Sequence, residues 1–309
     1  MIQVLHGAYQ YSQGHGANSE PGSNRKGVTY VFNQTITSLD QRAEGVNVTF
    51  ADGSNKDYDL VVAADGQGSR TRQLAFGQEV SDASFKSLGI HSAYFSIPRI
   101  KGEGSRAKGH LAPGRRMILT RTSDRPVTGV LLFTTIESLK GCYKKSLEHQ
   151  KEAFATAFKD VDWQADRLVS GMNASEDFYA HEHGQVKMDK LSAGRVVLLG
   201  DAGYCPSPFT GLGTNLCLVG AYVLAGELAH QDTIAGALQS YEEKMRPFIN
   251  ECQQLPSLGM FFPSSPLGIW SMQKLIWAVS KIMVIFPQSQ REDTHWERLP
   301  KYPGLNLRH

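Results

Sequence analysis

The residues of this chain whose types and spacing can do chemistry fall in two distant stretches. The first is Asp65-Gly66 with Ser69 and Arg72 behind it; the second is Gly200-Asp201-Ala202, leading through Pro206-Ser207-Pro208-Phe209-Thr210 into Gly211-Leu212-Gly213-Thr214-Asn215. Each acid closes an apolar run, Leu60-Val61-Val62-Ala63-Ala64 in one case and Arg195 to Leu199 in the other. A buried strand ending in Asp beside Gly carries a carboxylate to the carboxyl edge of a parallel sheet, where it accepts hydrogen bonds from a sugar hydroxyl. The glycine lets backbone approach a phosphate or ribose closely, so the pair predicts a nucleotide-cofactor site.

The second stretch adds detail. Pro206 and Pro208 stiffen the approach, and Gly211 and Gly213 remove Cβ atoms where a flat ligand lies against backbone. A helix starting near Thr214 points free N–H groups at that ligand and favours negative charge on it. In the first stretch, Arg72 on the turn after the strand offers a fork for a carboxylate or phosphate. Taken singly, Asp201 reads as an ordinary N-cap after a strand, and Gly211 and Gly213 as an ordinary tight turn. Together with the upstream acid they favour a cofactor role.

The elements that must hold these residues follow from pattern. Ile2 to Ala8 reads as the tail of a helix and Gly14 to Gly27 as a polar loop. Val28 to Phe32, Thr35 to Leu39 and Val46 to Phe50 read as strands, with an Asp52-Gly53 hairpin turn leading into Tyr58 to Ala64. Leu60 to Ala64 is expected to be buried on both faces. Gly89 to Ile97, Arg116 to Arg121 and Val127 to Thr135 read as strands of an antiparallel or mixed sheet. Lys144 to Lys159, Thr214 to Leu228 and Tyr241 to Glu251 read as helices. His181 and His183 flank Glu182 in a polar stretch read as a solvated turn, not a metal pair.

Composition narrows the class. The chain has 309 residues, 41% hydrophobic and 20% charged, with 32 basic and 30 acidic side chains spread along it. No field draws nucleic acid or an anionic surface. Cys142, Cys205, Cys217 and Cys252 form no C-x-x-C pair and lie at no metal-ligand spacing, so neither a metal site nor a disulfide framework is expected, and a reducing, cytoplasmic setting fits. Gly268 to Phe286 is the one long apolar stretch. Lys274 and Lys281 interrupt it two helical turns apart, which argues for a C-terminal helix packed on the body rather than a transmembrane span, with membrane-surface or partner docking as the alternative.

Asp65-Gly66-x-x-Ser69-x-x-Arg72 and Gly200-Asp201-Ala202…Pro208-x-x-Gly211-x-Gly213-x-Asn215 resemble the two internal motifs of the single-component FAD-dependent monooxygenases, which include aromatic hydroxylases and tetracycline-inactivating enzymes. The match runs from about Val28 to Ala229. Gly203-Tyr204 stands where Ala-His is common, and Gly220 where an Asp often follows the glycine turn; both bear on subfamily rather than family. The resemblance implies an α/β fold: a Rossmann-like FAD-binding domain over 1–86 and 178–250, a mixed-sheet substrate lobe over 87–177, and a C-terminal helical tail over 251–309. Family members open with a strand, a G-x-G-x-x-G turn and a helix. No such unit precedes Asp65, and Gly14-x-Gly16 lies in a polar loop with no strand before it. The expectation is therefore an FAD-binding sheet without its first βαβ unit, Met1 falling in the helix that follows that unit.

By the same resemblance, Asp201 binds the ribityl and pyrophosphate region, Gly211, Leu212, Gly213, Thr214 and Asn215 face the flavin, and Asp65 and Gly66 serve FAD and NAD(P)H pyrophosphate. Reduced FAD then reacts with dioxygen (O2) to give a C4a-hydroperoxide that hydroxylates an aromatic or polyketide-like small molecule, with no side-chain nucleophile. The substrate is expected against the second lobe. Its lining candidates are His91, Tyr94, Phe95, Met117, Leu119, Leu132, Phe133 and Phe209. Two other readings stay open. One is a different flavoenzyme on this fold, a reductase or a halogenase, though Trp270 and Trp277 are too far apart for the halogenase W-x-W-x-I-P segment; the other is a non-catalytic remnant.

Overall fold

A computed structural model describes residues 29–122, 126–254, 263–285 and 299–303, and divides the chain into two units, Met1–Thr35 and Ile36–His309. The expectations for Ile2 to Ala8 and Gly14 to Gly27 lie outside the described residues. In the first unit the described residues are irregular, where a strand was expected at Val28 to Phe32. Tyr30 and Phe32 stack with ring centroids 6.1 Å apart. Among the described residues no strand pairs with this short apolar segment, so it has no ladder to join.

The second unit begins with an antiparallel meander of β1 (Ile36–Arg42), β2 (Gly45–Phe50) and β3 (Asn55–Tyr58). Its turn is the expected one: Gly53 has φ +82°, and the Asp52 carboxylate accepts from the Ser54 N–H at 2.9 Å. The run from Tyr58 to Ala64 does not continue as one strand. β3 stops at Tyr58, and β4 (Val61–Ala63) crosses to another sheet, where it lies beside β11. Val61 and Ala63 are buried while Val62 is 42% exposed, so the expectation of burial on both faces fails for β4. Successive side chains of a strand point to opposite sides, and among the described residues only one side carries a core.

Two helices follow, α1 (Arg70–Phe76) and α2 (Gln78–Ser84), and then the larger sheet: β5 (Phe85–Pro98), β6 (Lys108–Ala112), β7 (Arg116–Thr122) and β8 (Val127–Thr134). α3 (Leu147–Phe158) and α4 (Ala165–Ala174) separate these from β9 (Tyr179–Val186). The order is β6-β7-β8-β5-β9 with every neighbouring pair antiparallel, the first of the two arrangements expected, antiparallel or mixed. Phe154, Phe158, Leu168 and Met172 from the helices cover one sheet face, meeting Ala93, Phe95, Ile97, Ile118, Val130 and Leu132. Ser146 caps α3 by accepting from the His149 N–H at 3.3 Å, and Leu147, the first apolar residue of its stripe, remains 45% exposed.

The chain then returns to the small sheet as β10 (Ser192–Ala193) and β11 (Val196–Leu198), followed by the single turn α5 (Asp201–Tyr204) and the long α6 (Gly213–His230) and α7 (Ile234–Cys252). Val223, Leu224, Leu238, Tyr241 and Met245 of α6 and α7 bury β11 and the end of β4. α8 (Pro266–Ile285) is the expected C-terminal helix. Only part of it packs: Ile269 is buried, whereas Leu267, Trp270, Leu275, Trp277 and Val279 are exposed. No helix among the described residues is long and apolar enough to cross a membrane.

Candidate cofactor and substrate site

β4 and β11 pair in parallel with Val61 opposite Val196 and Ala63 opposite Leu198; the Leu199 N–H donates to the Ala63 carbonyl at 2.9 Å. Both acid-plus-glycine corners therefore leave the same edge of the same sheet. A parallel pair presents both carboxyl ends to one side, the place where nucleotides meet open α/β sheets. Gly200 turns the second corner with φ +63°, and a Cβ there would press to 2.8 Å from the Cys217 sulfur on α6, so no larger residue fits without displacement.

At the upstream corner the Asp65 carboxylate accepts from the Ser69 hydroxyl and, at 2.9 Å, from the Thr71 N–H. Ser69 Oγ in turn accepts from the Arg72 N–H at 2.9 Å and caps α1. Burial pushes the Asp65 pKa up, but these hydrogen bonds more than offset it and the acid stays below its ordinary value. Arg72 does not present the fork expected of it. Its guanidinium is turned inward, donating from Nε to Ser81 Oγ at 2.9 Å, from Nη1 to the Ala202 carbonyl at 2.7 Å and from Nη2 to the Gln67 carbonyl at 2.9 Å. Only 3% of the residue is exposed, so it ties one corner to the other from beneath.

At the downstream corner Cys205, Pro206 and Ser207 are buried, and the chain surfaces through a 3-10 turn, Pro208–Thr210. Thr210 Oγ1 donates to the Ser207 carbonyl at 2.9 Å, and Gly211 closes the turn with φ +67°. α6 then starts at Gly213 with no side chain capping it. Asp201, Pro208, Gly211, Leu212, Thr214 and Asn215 are exposed, and a Cβ added at Gly211 or Gly66 would meet nothing within 4 Å. Open glycines, an exposed carboxylate and an uncapped amino end on one sheet edge fit the sugar, phosphate and ring of FAD. Burial, and next the Asp201 charge, push the Cys205 thiol up to about 12, so no thiolate nucleophile stands beside the corner.

The substrate candidates sort by strand parity. Tyr94, Met117, Leu119, Phe133 and Phe209 share the sheet face turned away from α3 and α4: Phe133 packs with Ile90, Met117, Leu119, Leu131 and Phe209, and edge-on to Tyr94 at 6.2 Å. Met117 and Phe209 also line a cavity of about 380 Å³ with Leu111, Met272 and Ile276, so α8 shares that wall. His91, Phe95 and Leu132 lie on the opposite face, odd positions of β5 matching even positions of β8. Phe95 and Leu132 are core under α3 and α4, and His91 Nδ1 bonds the Tyr143 hydroxyl at 2.8 Å. His91 therefore does not join the aromatic face.

Two residues belong to that face which the hydropathy of the sequence concealed. His181 and His183 are not in a solvated turn but in β9, opposite Ser92 and Ile90 of β5. His183 is 1% exposed, stacks on Phe133 at 5.8 Å and meets Phe209 edge-on at 5.7 Å. His181 stacks on Tyr94 at 5.6 Å. Burial lowers the pKa of both, that of His183 to about 3, with His181 and His91 nearby adding to the effect. The available signal was the period-two spacing of Tyr179, His181 and His183.

Residues 22–255 match the family model described as an FAD binding domain. FAD-dependent monooxygenase asL6 of Sarocladium schorii is 40% identical over 288 residues, covering 91% of this chain and 68% of the relative. The crystal structure of tetracycline destructase Tet(51) matches with TM-score 0.66 at 33% identity, over 72% of this chain and 59% of that one. Klebsiella pneumoniae HpxO, solved with FAD and uric acid, shares the fold at 20% identity, TM-score 0.53, over 71% of this chain and 56% of that one. The chain belongs to the FAD-binding family of flavin-dependent monooxygenases, and it spans from somewhat over half to about two thirds of the length of these relatives.

Proposed function

We propose that this chain binds FAD across the Asp65 and Asp201 corners and, with NAD(P)H and dioxygen as co-substrates, hydroxylates a neutral aromatic or polyketide-like small molecule. The observation that carries the reading is the parallel pairing of β4 with β11, which sets the two corners side by side under the uncapped start of α6. Asp201 accepts from the sugar-chain hydroxyls. The amino end of α6, from Gly211 to Asn215, faces the ring and favours its anionic forms. Asp65 and Gly66 shape the pyrophosphate turn, and Arg72 positions that turn against Ala202. Once bound, FAD would supply the redox chemistry that couples NAD(P)H oxidation to insertion of one oxygen atom of dioxygen into the substrate, the other atom leaving as water. The aromatic face of Tyr94, Met117, Phe133 and Phe209 holds the substrate by apolar contact and excludes water. This division makes 87–177 the substrate lobe and the flanking segments the cofactor domain.

The test begins with colour. The purified protein is expected to be yellow and Asp201→Ala colourless, with the unfolding midpoint of the flavin-free protein unchanged because Asp201 is exposed. Equal flavin content in wild type and variant overturns the assignment. NAD(P)H oxidation stimulated by an aromatic substrate, with a hydroxylated product, separates a hydroxylase from another flavoenzyme on the same fold.

A further inference from the structure

His181 and His183 occupy alternate positions of β9 and so lie on one sheet face, joined by a bond of 3.2 Å between His181 Nε2 and His183 Nδ1. Their other nitrogens, His181 Nδ1 and His183 Nε2, are buried and have no hydrogen-bond partner among the described residues. Buried polar atoms are almost always satisfied, so two orphans at the two ends of one bonded pair call for a ligand that satisfies both. The rings packed on the pair, Tyr94, Phe133, Tyr179 and Phe209, are uncharged, and Phe209 lies in the loop that leads into the cofactor corner.

Proton counting defines the ligand. Two neutral imidazoles carry two ring protons, and one of them lies in the shared bond. If His181 Nε2–H donates to His183 Nδ1, then His183 Nε2 bears the other proton and His181 Nδ1 is a bare lone pair. If His183 Nδ1–H donates, the ends exchange roles. In either tautomer the free ends offer one donor and one acceptor. Burial keeps both rings neutral and so disfavours a carboxylate ligand, which would need a cation.

We infer that His181 and His183 act together as a substrate-binding pair, recognising a neutral aromatic ligand that carries a free hydroxyl and a carbonyl. One imidazole end accepts from the hydroxyl and the other donates to the carbonyl oxygen. The inference deepens the proposed monooxygenase reading by naming the polar groups its substrate must display, and it rests on that reading for the placement of substrate on this face.

Equilibrium dialysis of the full chain tests it with para- and meta-hydroxyacetophenone against their methyl ethers, which keep the carbonyl and lose the donor. The wild type is expected to bind at least one free-hydroxyl isomer about fivefold or more tightly than its ether, the range for losing one hydrogen bond to a buried partner. H183F and H181F, which keep a ring in each aromatic slot, are expected to reduce that preference below about twofold. The wild-type comparison needs no variant, and H181F alters the less buried ring, so a folding failure of H183F leaves the result decisive. No binding, no preference in the wild type, or a preference retained in a folded variant overturns the inference. Yellow protein without the preference sinks this inference alone; colourless protein with it sinks the flavin assignment and leaves the pair standing.

Discussion

The guanidinium of Arg72 donates to the carbonyl oxygen of Ala202 across 2.7 Å, linking the turn after β4 to the turn after β11. These residues are 130 apart in the chain, and the same side chain also holds Gln67 and Ser81. Arg72→Met is expected to destabilise the fold by about 3 kcal/mol, since it leaves two carbonyls and a hydroxyl unpaired in the interior. Arg72→Lys should recover little, because one ammonium cannot span three acceptors. Urea unfolding gives the stability, and flavin content reports whether the corners stay aligned.

Tyr204 and Gly220, the two departures from the family pattern, are one packing unit. A Cβ at Gly220 would overlap the Tyr204 hydroxyl, which bonds the Tyr241 hydroxyl at 2.9 Å, and Tyr241 donates onward to the Leu198 carbonyl at 3.1 Å. Gly220→Ala is expected to cost about 2 kcal/mol despite the better helix propensity of alanine. In a Tyr204→Phe background that cost should fall to less than half. A double-mutant cycle measures the coupling, and additive effects would contradict it.

His183 makes stability depend on pH. Its folded pKa, about 3, lies below the ordinary 6.5, so both states are neutral above 6.5 and the unfolded chain takes the proton first as pH falls. Stability is therefore lost progressively from pH 6.5 toward 3, at up to about 1.4 kcal/mol per pH unit from this group. H183F is expected to flatten that slope in urea titrations between about pH 6 and pH 4. An unaltered slope would place the ring in water.

Glu227 acts in the more acidic range. It is 1% exposed and accepts from Lys244, from the Tyr302 hydroxyl and, at 3.3 Å, from Gln231; burial pushes its pKa up, yet these partners more than compensate and hold it near 2. A lowered acid contributes stability above its ordinary 4.5 and loses it as pH falls from there toward 2. Glu227→Gln is expected to remove that acid limb. It should also release the segment around Tyr302, whose ring packs on Gly226 of α6, visible as faster amide exchange there.

The two corners were legible in the sequence because each is local: an apolar run, an acid and a glycine within a few residues. The start of α6 was legible for the same reason, expected near Thr214 and found at Gly213. β9 was not legible, since His-Glu-His reads as polar until the sheet covers alternate residues. The exposed face of β4 was not legible either, because Val62 looks like its neighbours, and what covers each face of a strand is not written in the strand itself.

By itself the sequence determined the type of site, two carboxylate-and-glycine turns after buried strands, together with the family these spell out. Only the tertiary structure decided the tasks of the residues around them. Arg72 turned inward because the Ala202 carbonyl reaches it from the turn after a distant strand, and His91 left the aromatic sheet face while His181 and His183 joined it. Side-chain parity follows from strand register, and register is set by pairing between segments far apart in the chain, which local residue type cannot specify.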